Sequence, residues 1–208
     1  MRHLAVDWLA LGRRIGARDD VAGAGANLLG RWAEPHRAYH DLAHLDEVLT
    51  RVDLLADAAD DADAVRLAAW FHDAVYDPKA TDNEERSAWL ATTMLHRLQV
   101  PEPTVARVAR LVRVTAAHEV ADGDRDGAVL CDADLGVLAA TAERYSTYVD
   151  GVRREYAHVD DASFARGRAA VLRGLVAHEP LFRTAYGHEQ WESGARANVL
   201  AELAHLER

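Results

Sequence analysis

At 208 residues, half of them apolar, the chain is long enough to bury a core of its own. A net charge of −10 argues against the broad basic face that a nucleic acid or an anionic membrane requires. Cys131 is the single cysteine, so no internal disulfide can form, and a reducing, cytoplasmic setting is the expectation. The opening run Met1 to Trp8 carries an early charge and no apolar stretch long enough for a signal or a span.

Ala, Leu, Val, Arg and Asp dominate the composition, an alphabet that favours helix over sheet. Leu4, Trp8, Leu11 and Ile15 recur at helical spacing and predict a first helix ending near Gly16. A second covers Val21 to Trp32. The passage from Glu34 to His40 reads as a loop, and from Leu42 the stripe Leu45, Val48, Leu49, Val52, Leu55 predicts a third helix. An Ala/Asp connector, 56–63, leads into a central apolar helix, Ala64 to Tyr76, which must break before Pro78.

Thr81 with Glu84, or Asp82 with Glu85, has capping-box spacing and predicts a helix running to about Leu98. Another spans Thr104 to His118, after Pro101 and Pro103. The run Asp122 to Gly127 reads as a turn, followed by a helix from Val129 to Leu138. Tyr145, Tyr148, Val152 and Tyr156, then Ala169 to Val176, then Ala195 to Leu206, predict the remaining helices. The five tryptophans, at 8, 32, 70, 89 and 191, fall mostly on apolar stripes and are expected in the core. No strand pattern or repeat occurs, so one all-α domain over 1–208 is expected.

Four places supply groups that ligate metals: His40 with His44, His72 with Asp73, His118, and Asp132 with Asp134. His40 and His44 are four apart, on one helix face if the helix begins early enough. His72 and Asp73 end the most apolar helix, where unpaired polar groups cost several kcal/mol. Two imidazoles and two carboxylates make a mixed nitrogen/oxygen set suited to Mn, Fe, Co, Ni or Zn, with Mg a further candidate. Each feature alone also has a local explanation: a polar helix end, a polar face, or a helix cap at Asp132 or Asp134.

The ordered pattern of His44 with Val48, then His72-Asp73, then Asp132-Ala133-Asp134-Leu135 resembles the HD superfamily of metal-dependent phosphohydrolases. More narrowly, Tyr39 to Leu45, Trp70 to Tyr76 and Asp82 to Ala88 resemble a small bacterial branch of predicted phosphohydrolases, and the likeness continues into Gly167-Arg168 and 195–198. The resemblance implies a compact HD-type helical domain with His44, His72, Asp73 and Asp134 as metal ligands, and Asp132 beside them or as a cap. It implies a divalent transition metal that activates water against a small phosphorylated metabolite or nucleotide.

Glu84 is then either a general base or only a capping-box member. His118 is a general acid, a phosphate ligand or a second-metal ligand, unless the helix dipole alone explains it. Arg37 and Lys79, the latter the sole lysine among 24 basic residues, are candidate phosphate anchors. His40 and Asn83 are candidates to touch substrate or to steady the ligands. Two other readings stay open: a di-iron oxygenase of the same fold, and a non-catalytic metal- or nucleotide-binding module. A homodimer through the helical surface is a further option.

Overall fold

Short side chains with an oxygen set most of the helix starts. In the computed structural model, which describes residues 3–207, Asp20 accepts from the Gly23 amide, Asp41 from Ala43 and His44, and Asp61 from Ala64. Asp124, Thr141, Asp160 and Thr184 do the same further on. Each takes up amides that the first helical turn leaves without a partner.

The helices are α1 (Leu4–Arg14), α2 (Val21–Trp32), α3 (Leu42–Leu54), α4 (Ala62–Phe71), α5 (Asn83–Arg97), α6 (Glu102–Val114) and α7 (Arg125–Leu135). There follow α8 (Ala142–Glu155), α9 (Asp161–Ala177), α10 (Ala185–Gln190) and α11 (Glu192–Leu206). Short 3-10 turns cover Ala56–Ala58 and Gly136–Ala139. The described residues contain no strand, so the all-α expectation holds, and no described helix is long and apolar enough to cross a membrane.

Two buried clusters fill the domain. The first is built on α1 to α7, with Trp8, Trp32, Trp70, Phe71 and Leu67 almost wholly buried. Here α4 lies centrally, packed on α3, α5, α6 and α7. The second gathers Tyr145, Tyr148, Leu172, Phe182 and Val199 from α8, α9, α11 and their connections, with Tyr39 from the loop before α3.

Several boundaries differ from those expected. Helix α4 stops at Phe71, five residues short of Tyr76, because its last three carbonyls find other donors. Ala68 still takes the helical His72 amide, but Ala69 takes the His72 Nδ1–H, Trp70 the Trp32 indole N–H at 3.0 Å, and Phe71 the Ala74 amide. The chain beyond is tied to α5 instead: Ser87 bonds both backbone groups of Val75, and Asn83 both of Asp77. Helix α5 begins after Asp82 without a side-chain cap, so neither capping box forms. Helix α6 starts earlier, with Pro103 inside its first turn, where a missing amide costs nothing.

Helix α7 begins at Arg125, four residues before the expected Val129, so Asp132 and Asp134 lie inside its C-terminal part and cap nothing. His118 stands beyond α6 in left-handed conformation, φ 53°. Trp89 is not core but 67% exposed.

Candidate metal centre

His44 sits in the first turn of α3, and Asp41, one carboxylate oxygen on the amides of Ala43 and His44, fixes that turn. His72 caps the end of α4 with its Nδ1–H on the Ala69 carbonyl, 2.9 Å away. That bond leaves Nε2 as the free lone pair of the neutral ring. Asp73 follows it directly, and Asp134 arrives from the last turn of α7.

The four groups meet. His44 Nε2 and His72 Nε2 are 3.2 Å apart. Asp134 Oδ1 lies 3.2 Å from His44 Nε2 and 3.6 Å from His72 Nε2. Asp73 Oδ2 lies 3.3 Å from His72 Nε2 and 3.7 Å from His44 Nε2. The donor atoms of His44, His72 and Asp134 all fall within 4.8 Å of one another. Both imidazoles are 1% exposed.

These separations are a test of whether the residues suit a metal, and they pass. Ligands bonded at about 2.1 Å stand about 3.0 Å apart at right angles and about 3.4 Å apart in a tetrahedron. Two imidazole nitrogens and the Asp134 carboxylate oxygen form a set for a divalent transition ion, with the Asp73 carboxylate beside them.

The electrostatics agree. Burial works to lower His72, but the charges of Asp73 and Asp134 outweigh it and hold that imidazole well above the ordinary range. Burial lowers His44, helped by His72 and His40 and opposed by Asp134. Burial pushes Asp73 and Asp134 upward, yet the neighbouring imidazoles, His72 foremost, hold both carboxyls below their usual range. The pocket therefore draws in positive charge.

The surrounding residues orient the ligands. His118 Nε2 is 2.9 Å from Asp134 Oδ2, the carboxylate oxygen turned away from the cluster. Among the described residues the buried His44 Nδ1 has no hydrogen-bond partner, and its ring packs against Tyr39 and Trp32.

His40 points elsewhere. Its Nδ1 lies 2.7 Å from Glu155 Oε2, while Glu155 Oε1 accepts the amides of Ala38, Tyr39 and His40, and the Tyr76 hydroxyl donates to Oε2. Gly151 makes this possible, since a Cβ there would stand 2.9 Å from the Ala38 carbonyl oxygen and keep α8 away. Burial opposes a charge on His40, but Glu155 and the nearby carboxylates raise it.

Arg37 was a candidate phosphate anchor, but its guanidinium is spent inside the protein. It donates to the carbonyls of His40 at 2.8 Å and Asp73 at 2.9 Å, and to Glu34, clamping the two ligand-bearing loops together. Asn83 is likewise engaged with the Asp77 backbone. Lys79 is exposed, its amide on the Asp77 carboxylate. Asp132 accepts the Arg183 and Thr184 amides and the Thr184 hydroxyl, anchoring the entry to α10 rather than a metal.

One cleft of about 550 Å³ is lined by His40, Glu84, His118 and, of the cluster, Asp134, while His44, His72 and Asp73 lie outside its lining. Arg37, Lys79 and Asn83 are outside its lining. Glu155 was missed in the sequence, although it continues the Tyr145, Tyr148, Val152 stripe. A carboxylate on an apolar stripe was the signal. Comparison with protein families, curated proteins and solved structures gives no match for this chain. What stands without them is an all-α domain with a buried His-His-Asp cluster able to chelate a metal, and hence a metal-dependent catalytic or binding role.

Proposed function

We propose that the protein is a metal-dependent phosphohydrolase that cleaves a phosphate ester of a small metabolite or nucleotide with water. The observation that carries this reading is the position of the donor cluster. Its Asp134 lines a cleft of substrate size together with Glu84, His40 and His118, whereas purely structural metal sites are closed. The sequence resemblance points the same way, and the acidic balance of the chain favours a small substrate over a nucleic acid.

His44, His72, Asp73 and Asp134 would hold a divalent ion, which would supply Lewis acidity toward a phosphoryl oxygen and toward water. Glu84, on the cleft wall, takes the proton of the attacking water. His40, its Nδ1 held by Glu155, keeps Nε2 for the leaving oxygen. His118 is spent on Asp134 and works by orienting that ligand. Arg37 keeps the loops of the first and second ligands in register.

The test is metal analysis of purified protein, followed by phosphate release from a metabolite panel in Mn, Co, Ni and Mg. Stoichiometric metal with phosphate release is expected. Asp73→Ala is expected to lose both while keeping wild-type helix content by circular dichroism. Full metal occupancy in that variant overturns the ligand set. Iron above one per chain with oxygen uptake favours the oxygenase, and a bound nucleotide without turnover in any metal favours the binding module.

A further inference from the structure

Beyond Asp134, His118 and Glu84 the cleft changes character. Leu138, Val152, Phe164, Val171 and Leu175, from the turn after α7 and from α8 and α9, make up much of its remaining wall. Its volume, about 550 Å³, far exceeds what a phosphate group fills and lies within the usual ~300–1,000 Å³ of small-molecule sites. Whatever carries the phosphate must occupy this space.

Charge narrows the choice. A polyphosphate brings further negative charges that call for free cations. Among the lining residues the only guanidinium or ammonium is Arg168. Its Nε donates to Glu202 at 2.8 Å, and its terminal nitrogen to Glu202 at 3.2 Å and to the Tyr148 hydroxyl at 2.7 Å. That charge is matched within the protein.

Polar contacts are scarce as well. A sugar or base needs donors and acceptors along the wall. The Thr115 hydroxyl is spent on the Val112 carbonyl, and the Ser163 hydroxyl accepts from Arg166. Along this wall the hydroxyls of Tyr39, Tyr148 and Tyr156 are outnumbered by apolar side chains, so a polyhydroxylated group would recover fewer hydrogen bonds than it makes in water.

We infer that the substrate is the phosphate monoester of an alcohol with a single apolar body, alkyl or aryl, which lies along the α8–α9 wall. This inference rests on the phosphohydrolase reading and narrows it. Water oxygen bonds to phosphorus as the bond from phosphorus to the alcohol oxygen breaks. One water proton passes to Glu84 and the leaving oxygen takes a proton from His40, so the products are orthophosphate and the free alcohol.

The experiment uses the Mn-loaded full chain and straight-chain alkyl phosphates from ethyl to hexyl. The expected kcat/KM rises by about threefold to fourfold for each methylene the wall covers. Glycerol phosphate, ribose 5-phosphate, and adenosine mono- and triphosphate are expected to fall at least about tenfold below hexyl phosphate. Val171→Asp, at a position 57% exposed and so tolerant of charge, is expected to flatten the series. Binding of the matching alkylphosphonates, followed by titration calorimetry, is expected to show the same slope without turnover.

A flat series, or adenosine triphosphate as the best substrate, overturns the inference and leaves the hydrolase standing. A rising phosphonate series with no ester hydrolysed in any metal supports the apolar occupant and overturns the hydrolase.

Discussion

The two buried clusters are built from different materials. The first, around α4, is closed by Trp, Leu, Val and Ala and holds the ligands by backbone position. The second carries Tyr39, Tyr145 and Tyr148, and its hydroxyls feed a network: Tyr145 donates to Glu202, and Arg168 bridges Glu202 and Tyr148. The His-His-Asp cluster lies at the seam, with His44 packed on Tyr39. The difference teaches a division of labour. A close-packed apolar core fixes the donor atoms of the cluster in place. The tyrosine-rich half shapes the cleft and pins the first-ligand loop from outside through Glu155.

The sharpest way to break that division is a matched pair of cavities. Leu67→Ala in α4 and Leu172→Ala in α9, both wholly buried, should each cost about 2–5 kcal/mol, read as a melting temperature lower by roughly 5–15 °C. The ligand-bearing half predicts that the Leu67 variant also binds metal more weakly, while the Leu172 variant keeps wild-type occupancy. Equal loss of metal in both would merge the two halves into one unit.

Glu155→Gln tests the bridge between them. Burial works to raise this carboxyl, but the His40 imidazole and the Tyr39 and His40 amides bring it from an ordinary 4.5 down to about 2. A depressed acid contributes stability above its unfolded value, and that contribution fades as pH falls through the folded one. The wild type should therefore exceed the variant by about 3 kcal/mol near pH 6, and the gap should close between pH 4.5 and 2. Urea unfolding at pH 6 and pH 3 measures it, and a gap unchanged with pH would remove the ionic bridge.

His118→Ala removes the hydrogen bond to Asp134. Titration calorimetry should show metal affinity weaker by about 10- to 100-fold with the fold intact. The smallest effect belongs to Lys79→Ala, exposed and outside the cleft lining. Stability should move by less than about 0.5 kcal/mol, and KM should stay at the wild-type value. A tenfold rise in KM would return Lys79 to the phosphate site.

Much of the ligand-bearing half was readable along the chain. Val21 to Trp32 and the start at Leu42 were placed correctly, because apolar stripes and Asp caps are local signals. Four groups named from the sequence, His44, His72, Asp73 and Asp134, stand together in space. The end of α4 was not readable, since it is decided by Trp32, Ser87 and Asn83 taking backbone groups from another helix or loop. The start of α7 was hidden because Asp122 to Gly127 has the composition of a turn, yet Asp124 uses its carboxylate as a cap. The role of Arg37 was beyond reach for a similar reason: its acceptors are carbonyls, which no side-chain pattern announces.

Trp32 has a consequence outside chemistry. Its ring centroid lies 5.4 Å from that of His72 and 6.1 Å from that of His44, while its N–H is fixed on α4. An open-shell ion arriving between those imidazoles sits within quenching range of the indole, so ultraviolet emission reports loading as it happens. With the exposed Trp89 replaced by phenylalanine to strip background, the protein becomes its own optical gauge of which ions it prefers and how fast it releases them.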